Sequence, residues 1–355
     1  METRYDLADL RRFAKEILTA AGLPEGRAEV VALGLVLGDV YGQSTHGLAL
    51  LADYVSEIDA GAMATSGEPE ILSDTGVVAC WDARRLPGIW VTARAVEIAV
   101  GRAETHGIGA VAIRRSHHIA CLSAFLEEPA RRGFLVQVLT SDPSDTHVAP
   151  FGGIRPVMTP NPIAAGIPRT PDPILVDVST SITTAGMCGR MGSEGRRFPG
   201  AWMLDARGTP TDDPTVLGKG GSIQPIGGLD HGHKGYGLSL LVEALTQGLS
   251  GYGRVEKPTE WGAAVFVLAI APAAFAGSDA FMREVDGLAD TCLASPSLPG
   301  RPPVRLPGQA EIARRRLAER DGLSLHAGIG DALATLAERY GMRPPKTIAT
   351  PEPNA

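Results

Sequence analysis

Apolar positions divide the chain into helical ends and a strand-rich middle. In "DLADLRRFAKEILTAAG", starting at Asp6, apolar residues recur every three or four positions and Gly22 ends the run, which predicts an amphipathic helix. A second apolar run from Ala28 to Val40 predicts another helix. Near the other end, "GQAEIARRRLAERDG" and "GDALATLAERYG" predict two more amphipathic helices.

The middle of the chain carries short apolar runs bounded by Gly, Pro, Asp or Ser, a pattern typical of strands. From about residue 77 these runs are "GVVACWD", "GIGAVAIR", "GFLVQVLT", "NPIAAGIP", "PILVDVST" and "AAVFVLAIA". Helical patterns lie between some of them, notably after Ser123 and after Lys234. In the latter, apolar residues share one helix face that Gly251 terminates: Leu238, Leu241, Val242, Leu245 and Leu249.

Together these elements predict an α/β (α+β) protein with a central mixed sheet and a helical lobe built from both chain ends. We expect residues 1–75 to form the N-terminal lobe and residues 76–300 the sheet domain. Residues 301–345 would supply C-terminal helices that pack on the lobe. The proline-rich residues 346–355 predict a mobile tail.

Composition narrows the classes of partner. A net charge of -7 and only 5% aromatic residues argue against nucleic-acid binding. The N-terminus lacks the apolar stretch of a secretory signal, and Pro272 interrupts the most apolar segment, so no membrane partner is expected. Four widely spaced cysteines fit a reducing cytoplasm better than a disulfide framework or a zinc ribbon.

Standard nucleotide and hydrolase motifs are absent from the sequence. No G-x-G-x-x-G follows a strand, and "VLGKGGS" lacks the first glycine of a P-loop. Neither G-x-S-x-G nor H-E-x-x-H occurs. Any nucleotide site must therefore use other residues.

Histidine is the residue type that most invites a chemical interpretation. His46 lies alone in "GQSTHGLALL", either as a structural residue at a helix start or as a proton carrier. The adjacent His117 and His118 would point apart in a strand, and no third ligand has recognisable zinc spacing. We therefore predict no metal.

Other polar groups lie where a ligand or a structural partner would explain them. Asp177 ends an apolar run and needs a partner, for which His46 is one candidate. The hydroxyls that follow it, from Ser179 to Ser181, suit N-capping and equally anion or ribose binding. Lys234 at a predicted helix start opposes the helix dipole, which favours an anion such as phosphate over a merely solvated lysine. The Gly- and Pro-rich block 151–170 is either a ligand-contacting loop or a structural crossover.

Taken in order, these segments resemble the malate/L-lactate dehydrogenase family that lacks a Rossmann fold, whose relatives include ureidoglycolate and sulfolactate dehydrogenases and Δ1-piperideine-2-carboxylate reductase. The matching segments run over about residues 39–311. They are "DVYGQSTHGLALLADYV", "RRSHHIACLSAF", "VAPFGGIRPVMTPNPIAAGIP", "VDVSTS", "FPGAWMLDARGTPTDDP", "HKGYGLSLLVEALTQGLSG" and "LPGQAE".

The resemblance implies a mostly antiparallel mixed sheet that binds NADH or NADPH, a helical domain, and a homodimer or larger assembly with sites near the subunit interface. It implies hydride transfer between nicotinamide and a C=O or C=N carbon beside a carboxylate. His46 would donate the proton, with Asp177 as a possible orienting partner and His118 in the same pocket. The implied dinucleotide contacts are Asn161, Pro162, Ser179, Thr180, Ser181, Lys234 and Gly235, and the implied substrate-pocket residues are Thr45, Leu50, Tyr54 and His117.

Several pocket positions depart from the family pattern. Thr45 replaces a serine, and Leu50 replaces an arginine placed to clamp the substrate carboxylate. Further replacements are Ala120 for glycine, Pro160 for threonine and Met187 for lysine. We hypothesise a substrate that is larger or less anionic than malate or lactate, unless Arg114 or Arg115 supplies the clamp. A cyclic-imine reductase and a non-catalytic dinucleotide-binding protein remain the alternatives.

Overall fold

A seven-stranded sheet forms the centre of the molecule, in a computed structural model that describes residues 3–348. Its strand order is β2-β3-β4-β11-β5-β6-β7, and only the β3–β4 pair is parallel. Two three-stranded sheets, β12-β1-β13 and β10-β8-β9, flank it. The strands are β1 (Arg4–Tyr5), β2 (Glu70–Asp74), β3 (Val78–Asp82), β4 (Ile108–Ser116), β5 (Leu135–Ser141), β6 (Ile163–Ile167), β7 (Ile174–Val178), β8 (Met203–Leu204), β9 (Pro210–Thr211), β10 (Ser222–Ile223), β11 (Ala263–Ile270), β12 (Leu323–Ser324) and β13 (Thr347–Ile348).

Helices cover the sheet and build the lobe. They are α1 (Leu7–Ala20), α2 (Glu25–Val40), α3 (Leu51–Asp59), α4 (Gly88–His106), α5 (Glu127–Arg131), α6 (Ala185–Ser193), α7 (Gly228–Glu243), α8 (Ser278–Leu293), α9 (Gln309–Asp321) and α10 (Ile329–Tyr340). None of the helices within residues 3–348 is long and apolar enough to cross a membrane.

The predicted N-terminal helix forms for the reason that its pattern suggests. The Asp6 carboxylate accepts the Asp9 N–H at 2.8 Å and so satisfies one of the free donors at the start of α1. The apolar face of α1, which includes Leu10, Phe13 and Ile17, is fully buried. The C-terminal helices pack on this region, with α10 against α1 and α3, and α9 against α2.

Two separate apolar cores result. The main core joins the helical lobe to the large sheet. A smaller one comprises Val148, Met158, Cys188, Met191, Phe198, Met203 and Ile223 and includes the buried side of α6. Helix α6 meets the turn that follows α2, where Arg190 donates to the Ser44 hydroxyl at 3.0 Å.

The predicted α/β fold class and the mostly antiparallel sheet are confirmed. The sheet begins at Glu70, a few residues before the predicted lobe boundary. The tail predicted to be mobile from residue 346 contributes β13, which pairs with β1, and its residues 349–355 lie outside the described part of the chain.

Helix α7 differs from its prediction in start and in orientation. It begins at Gly228, before Lys234, and is kinked at His231, where φ is -127° and ψ is 15°. Its buried positions are Gly232, Gly235, Ser239 and Val242, whereas Leu238 and Leu241 are exposed. The apolar period correctly indicated a helix but could not show that its leucines face away from this chain's own core.

Candidate active site

A short 3-10 turn, Ser44–His46, presents His46 at the end of α2. The Asp39 carboxylate accepts the Leu48 N–H at 2.6 Å, which ties the segment after His46 to the helix. A Cβ on Gly38 would lie 2.5 Å from the His46 carbonyl oxygen, and one on Gly47 would lie 2.9 Å from the Asp39 nitrogen. Glycine is therefore required at both positions for the close approach that fixes His46.

His118 follows β4 and is held by its backbone neighbours and by two aromatic rings. The Ala120 N–H donates to His118 Nδ1 at 3.4 Å, and the Tyr54 hydroxyl lies 3.1 Å from both Nδ1 and the His118 carbonyl oxygen. Trp261 stacks on the imidazole at a centroid distance of 4.7 Å. Since Nδ1 accepts the Ala120 hydrogen bond, the proton of the neutral ring belongs on Nε2.

The two imidazoles face each other with centroids 5.8 Å apart. His46 Nδ1 lies 3.0 Å from the Thr45 hydroxyl. Burial lowers the pKa of His46 below its ordinary value, an effect that the charge of Asp177 opposes and that of Arg190 reinforces. Burial lowers the pKa of His118 further, and the neighbouring histidines add to this. Burial thus favours the neutral form of both imidazoles, and more strongly that of His118.

His117 does not share this pocket, contrary to its predicted place there. Its side chain is fully buried, and Nε2 lies 3.1 Å from the Glu57 carboxylate. Burial lowers the pKa of His117 to about 4, although the bond to Glu57 opposes the shift. Adjacent residues in extended backbone point to opposite sides, so only one of the two histidines can face His46.

Asp177 lies half-buried at the end of β7, and its partners are not the predicted one. Its Oδ2 accepts hydrogen bonds from Gln43 Nε2 at 2.8 Å, from the Ser123 hydroxyl at 2.8 Å and from the Ser123 N–H at 3.0 Å. It acts on His46 through its charge alone. Gln43 lies three residues before His46, so this carboxylate also helps to position the turn.

Most of the residues predicted to contact the dinucleotide form hydrogen bonds within the protein instead. Asn161 is fully buried at φ +45°, and its amide donates to Glu243 at 2.9 Å. The buried Thr180 hydroxyl lies 2.6 Å from that of Ser239, and the buried Ser181 hydroxyl donates to the Thr183 carbonyl at 2.6 Å. These side chains hold β6, β7 and α7 together and do not project toward a ligand.

Gly235 allows α7 to pack closely against the neighbouring segments. A Cβ there would lie 2.5 Å from the Ile226 nitrogen and 2.7 Å from the Thr180 carbonyl oxygen, so α7 approaches both segments more closely than any larger residue allows. Pro162 is half-buried, and its carbonyl accepts the Thr140 N–H at 3.4 Å. Ser179 is half-buried and donates to the Ser181 carbonyl at 2.7 Å.

Lys234 is the predicted cofactor residue that remains available. It is exposed and, among residues 3–348, has neither a hydrogen bond nor an ion pair. The exposed apolar side chains of Val178 and Ile226 belong to the segments that meet at Gly235, next to Lys234. An exposed cation and exposed apolar side chains in these adjoining segments suit a ligand with both phosphate and aromatic parts.

Arg114 and Arg115, the predicted substitutes for the missing arginine, form ion pairs away from His46 and His118. Arg114 and Arg115 both donate to the buried Asp82 carboxylate, at 2.9 Å and 2.8 Å. Leu50 is half-buried against the main core. Ala120, at a position where relatives have glycine, adopts φ +57°, a left-handed conformation that explains the glycine.

Comparison with known proteins identifies the chain. Residues 5–334 match the model of the malate/L-lactate dehydrogenase family. The chain belongs to this family. It is 30% identical over 351 residues to an L-lactate dehydrogenase of Cupriavidus necator, which covers 96% of this chain and 99% of the relative. It is 33% identical over 347 residues to a (2R)-3-sulfolactate dehydrogenase (NADP(+)) of Chromohalobacter salexigens, in an alignment that covers 95% of this chain and 99% of the relative.

A solved structure supports the same assignment. The Δ1-piperideine-2-carboxylate reductase of Pseudomonas syringae superposes with a TM-score of 0.82 at 26% identity, over 94% of this chain and 99% of that one. The chain is thus an NAD(P)-dependent dehydrogenase or reductase of the malate/L-lactate dehydrogenase family. Within residues 3–348, no three His, Cys, Asp or Glu side chains are grouped to hold a metal ion.

Sequence reasoning missed three residues of this family member's site. Trp261 precedes β11 in a stretch with no motif, and Ser123 lies where only a helix was predicted. Arg190, in the middle of α6, donates to the Ser44 hydroxyl at 3.0 Å. Each gains its importance from a contact with a distant segment, and local sequence carries no signal for such a contact.

The Asp39 carboxyl gives a testable pH dependence. Burial raises its pKa to about 7, and its Oδ1 has no partner. Because the folded-state pKa lies above the unfolded value, the stability that its protonated form contributes is complete below about pH 4 and is lost as pH rises through about 7. We expect Asp39→Asn, which keeps an acceptor for Leu48, to gain about 2–4 kcal/mol relative to the wild type between pH 4 and pH 8.

Thermal unfolding across this pH range measures the difference. Asp205 is the matched control, because its carboxylate accepts the N–H groups of Arg207 and Thr209 at 2.8 Å and these bonds lower its pKa. Asp205→Asn should show the opposite trend, losing stability relative to the wild type above about pH 4. Parallel curves for Asp39→Asn and wild type would contradict the assignment of a raised pKa to Asp39.

Proposed function

We propose that this protein reduces the C=O or C=N carbon beside a carboxylate, using NADH or NADPH, and catalyses the reverse oxidation. The observation that carries the proposal is the pair of facing imidazoles, His46 and His118, with ring centroids 5.8 Å apart, of which His118 is the more strongly held in its neutral form. Reduction of C=O leaves negative charge on oxygen, and a positioned group that titrates near neutrality can supply the proton. His46 would donate it, and the Nε2–H of His118 would hold the substrate oxygen or nitrogen.

The positioning of these groups rests on contacts already described. Tyr54 and Trp261 fix the ring of His118, and Asp39 and Gln43 fix the turn that bears His46. Asp177 would stabilise the protonated form of His46, because its negative charge raises the pKa of that ring. Orientation of this kind accounts for a large part of an enzymatic rate increase.

The surface beyond Asp177 fits a nicotinamide dinucleotide. Lys234 offers an unpaired cation for a phosphate, and Val178 and Ile226 offer an apolar surface for a ring. Asn161, Thr180, Ser181 and Gly235 would act behind this surface by fixing its shape. A bound nicotinamide supplies the hydride, whereas the protein orients it and excludes water.

Replacement of Lys234 tests the cofactor surface. Lys234→Ala should raise KM for the reduced dinucleotide about tenfold, because it removes a charge-assisted contact, and should change kcat little. Lys219→Ala is the control, since Lys219 is exposed in the same part of the chain and donates to Thr215. Unchanged affinity for both NADH and NADPH in the Lys234 variant would contradict this placement.

A substrate panel tests the activity itself. The purified protein is given pyruvate, oxaloacetate, phenylpyruvate and Δ1-piperideine-2-carboxylate with NADH and with NADPH, and nicotinamide absorbance is followed. A cyclic imino acid is the second candidate class, because the likeness to a Δ1-piperideine-2-carboxylate reductase extends over 94% of the chain. Reduction of pyruvate or oxaloacetate at ordinary enzymatic rates would overturn the hypothesis of a larger or less anionic substrate. Dinucleotide binding without turnover of any compound would favour a non-catalytic protein.

The exposed leucines of α7 support the further proposal of a homodimer. Leu238, Leu240 and Leu241 of α7 and Leu249 just beyond it are all exposed, an apolar surface unusual for a monomer. In a homodimer, the second copy would cover this apolar surface and remove it from water. Sedimentation velocity tests this, and a single species of monomer mass at micromolar concentration would contradict it.

A further inference from the structure

One face of α6 is turned toward the His46 turn. A Cβ on Gly186 would lie 3.4 Å from the Thr45 Cβ, so the start of the helix packs against this turn. Arg190 lies four residues later and therefore on the same face. Its Nη1 donates to the Ser44 hydroxyl at 3.0 Å, which places the guanidinium beside the turn that ends in His46.

The Arg190 guanidinium forms no ion pair with the described residues. Among residues 3–348, no carboxylate lies within 4.0 Å of it, and its side-chain hydrogen bonding is confined to Ser44. Arg114 and Arg115, by contrast, are both saturated by Asp82. Arg190 is half-buried, and a partly desolvated arginine with free N–H donors presents a planar fork that matches a carboxylate.

We propose that Arg190 binds the substrate carboxylate, taking over the clamp that Leu50 cannot provide. The inference rests on the proposed function, since it places the reacting C=O or C=N carbon between His46 and His118. It assigns the substrate to 2-oxo acids or cyclic imino acids that bind with the carboxylate toward α6. The loss of arginine at position 50 then relocates carboxylate recognition without abolishing it, and the pocket wall at Leu50 becomes available to an apolar substituent.

The test compares acids with their uncharged amides. Arg190→Gln and Arg190→Lys are assayed in the full-length protein with pyruvate and phenylpyruvate, with pyruvamide and phenylpyruvamide, and with Δ1-piperideine-2-carboxylate. We expect Arg190→Gln to lower kcat/KM for the acids about 100-fold, mainly through KM, and to leave the amides within about threefold. Arg190→Lys should restore part of the loss, because lysine keeps the charge without the fork.

Two controls separate carboxylate binding from other effects. Arg196→Gln removes an arginine just beyond α6 that pairs with Glu194 at 2.9 Å, and it should leave the acid-to-amide ratio unchanged. Any change in His46 protonation affects acid and amide alike, so this ratio isolates the carboxylate contact. Melting temperature and dinucleotide affinity establish that each variant is folded.

The outcomes distinguish this inference from the proposed function. Equal losses for acids and amides, or no loss for either, overturn the role of Arg190 and leave the reductase intact. If the wild-type enzyme reduces amides as efficiently as acids, the role of Arg190 is likewise overturned, and the proposed reductase activity stands. If the wild type neither binds NADH or NADPH nor reduces any compound, the proposed function falls and the role of Arg190 falls with it.

Discussion

Replacement of His46 with glutamine should lower kcat by a factor of about 10²–10⁴, the range that a positioned proton donor contributes. Glutamine retains a polar group of similar length but cannot transfer a proton at neutral pH. Dinucleotide affinity should remain unchanged, because His46 lies on the turn at the end of α2, whereas the proposed cofactor surface lies along β7 and α7. Stopped-flow and steady-state assays with the best substrate measure both quantities.

The pH dependence of the wild-type reduction rate gives a second test of His46 as the proton donor. In the direction of reduction, the rate should fall as pH rises through the pKa of His46, which burial places below its ordinary value. His326→Gln is the control, since His326 is exposed and lies far along the chain, 3.6 Å from Glu194. If His46→Gln retained more than about a tenth of wild-type kcat, or kept the same pH profile, His46 would not be the proton donor.

The second large effect concerns Gly88, the first residue of α4. A Cβ at this position would collide with the His117 carbonyl oxygen and lie 2.5 Å from that of His118. Both obstacles are backbone, so Gly88→Ala must displace the segment that carries His118. We expect a loss of about 2–3 kcal/mol in stability and a fall in kcat/KM of about 100-fold, because a small misplacement of a reacting group is costly.

Gly101 in the same helix is the matched control. Nothing lies within 4 Å of a Cβ placed there, so Gly101→Ala should stabilise the protein by about 0.5–1 kcal/mol with unchanged activity. Denaturant unfolding and the reductase assay on both variants test the pair. A Gly88→Ala enzyme with wild-type stability and activity would show that the His117–His118 segment is not held by this contact.

Local pattern predicted the elements well and their partners less well. The period of Leu10, Phe13 and Ile17 specifies both the helix and its buried side, because those residues face a core within the chain. The same reasoning identified α7 but not its orientation, since Leu238 and Leu241 are exposed and face away from the core of this chain. Periodicity reports that a face is apolar and says nothing about what covers it.

The site shows the same division between residue type and contact. His46 and His118 could be selected from motif and chemistry, and the structure brings them together. Asn161 and Thr180 lie in equally distinctive segments, yet their side chains serve internal hydrogen bonds. A polar residue in a motif can be required by the ligand or by the backbone that shapes the site, and only tertiary contacts separate the two.

The division between two apolar cores bears on how Arg190 is positioned relative to His46. Tyr54, whose hydroxyl contacts His118, belongs to the main core, whereas Arg190 lies on a helix whose buried residues, Cys188 and Met191, belong to the smaller core. Because the Arg190 guanidinium donates to Ser44 and its charge lowers the pKa of His46, a substitution on this face of α6 should change substrate preference and the pH profile together.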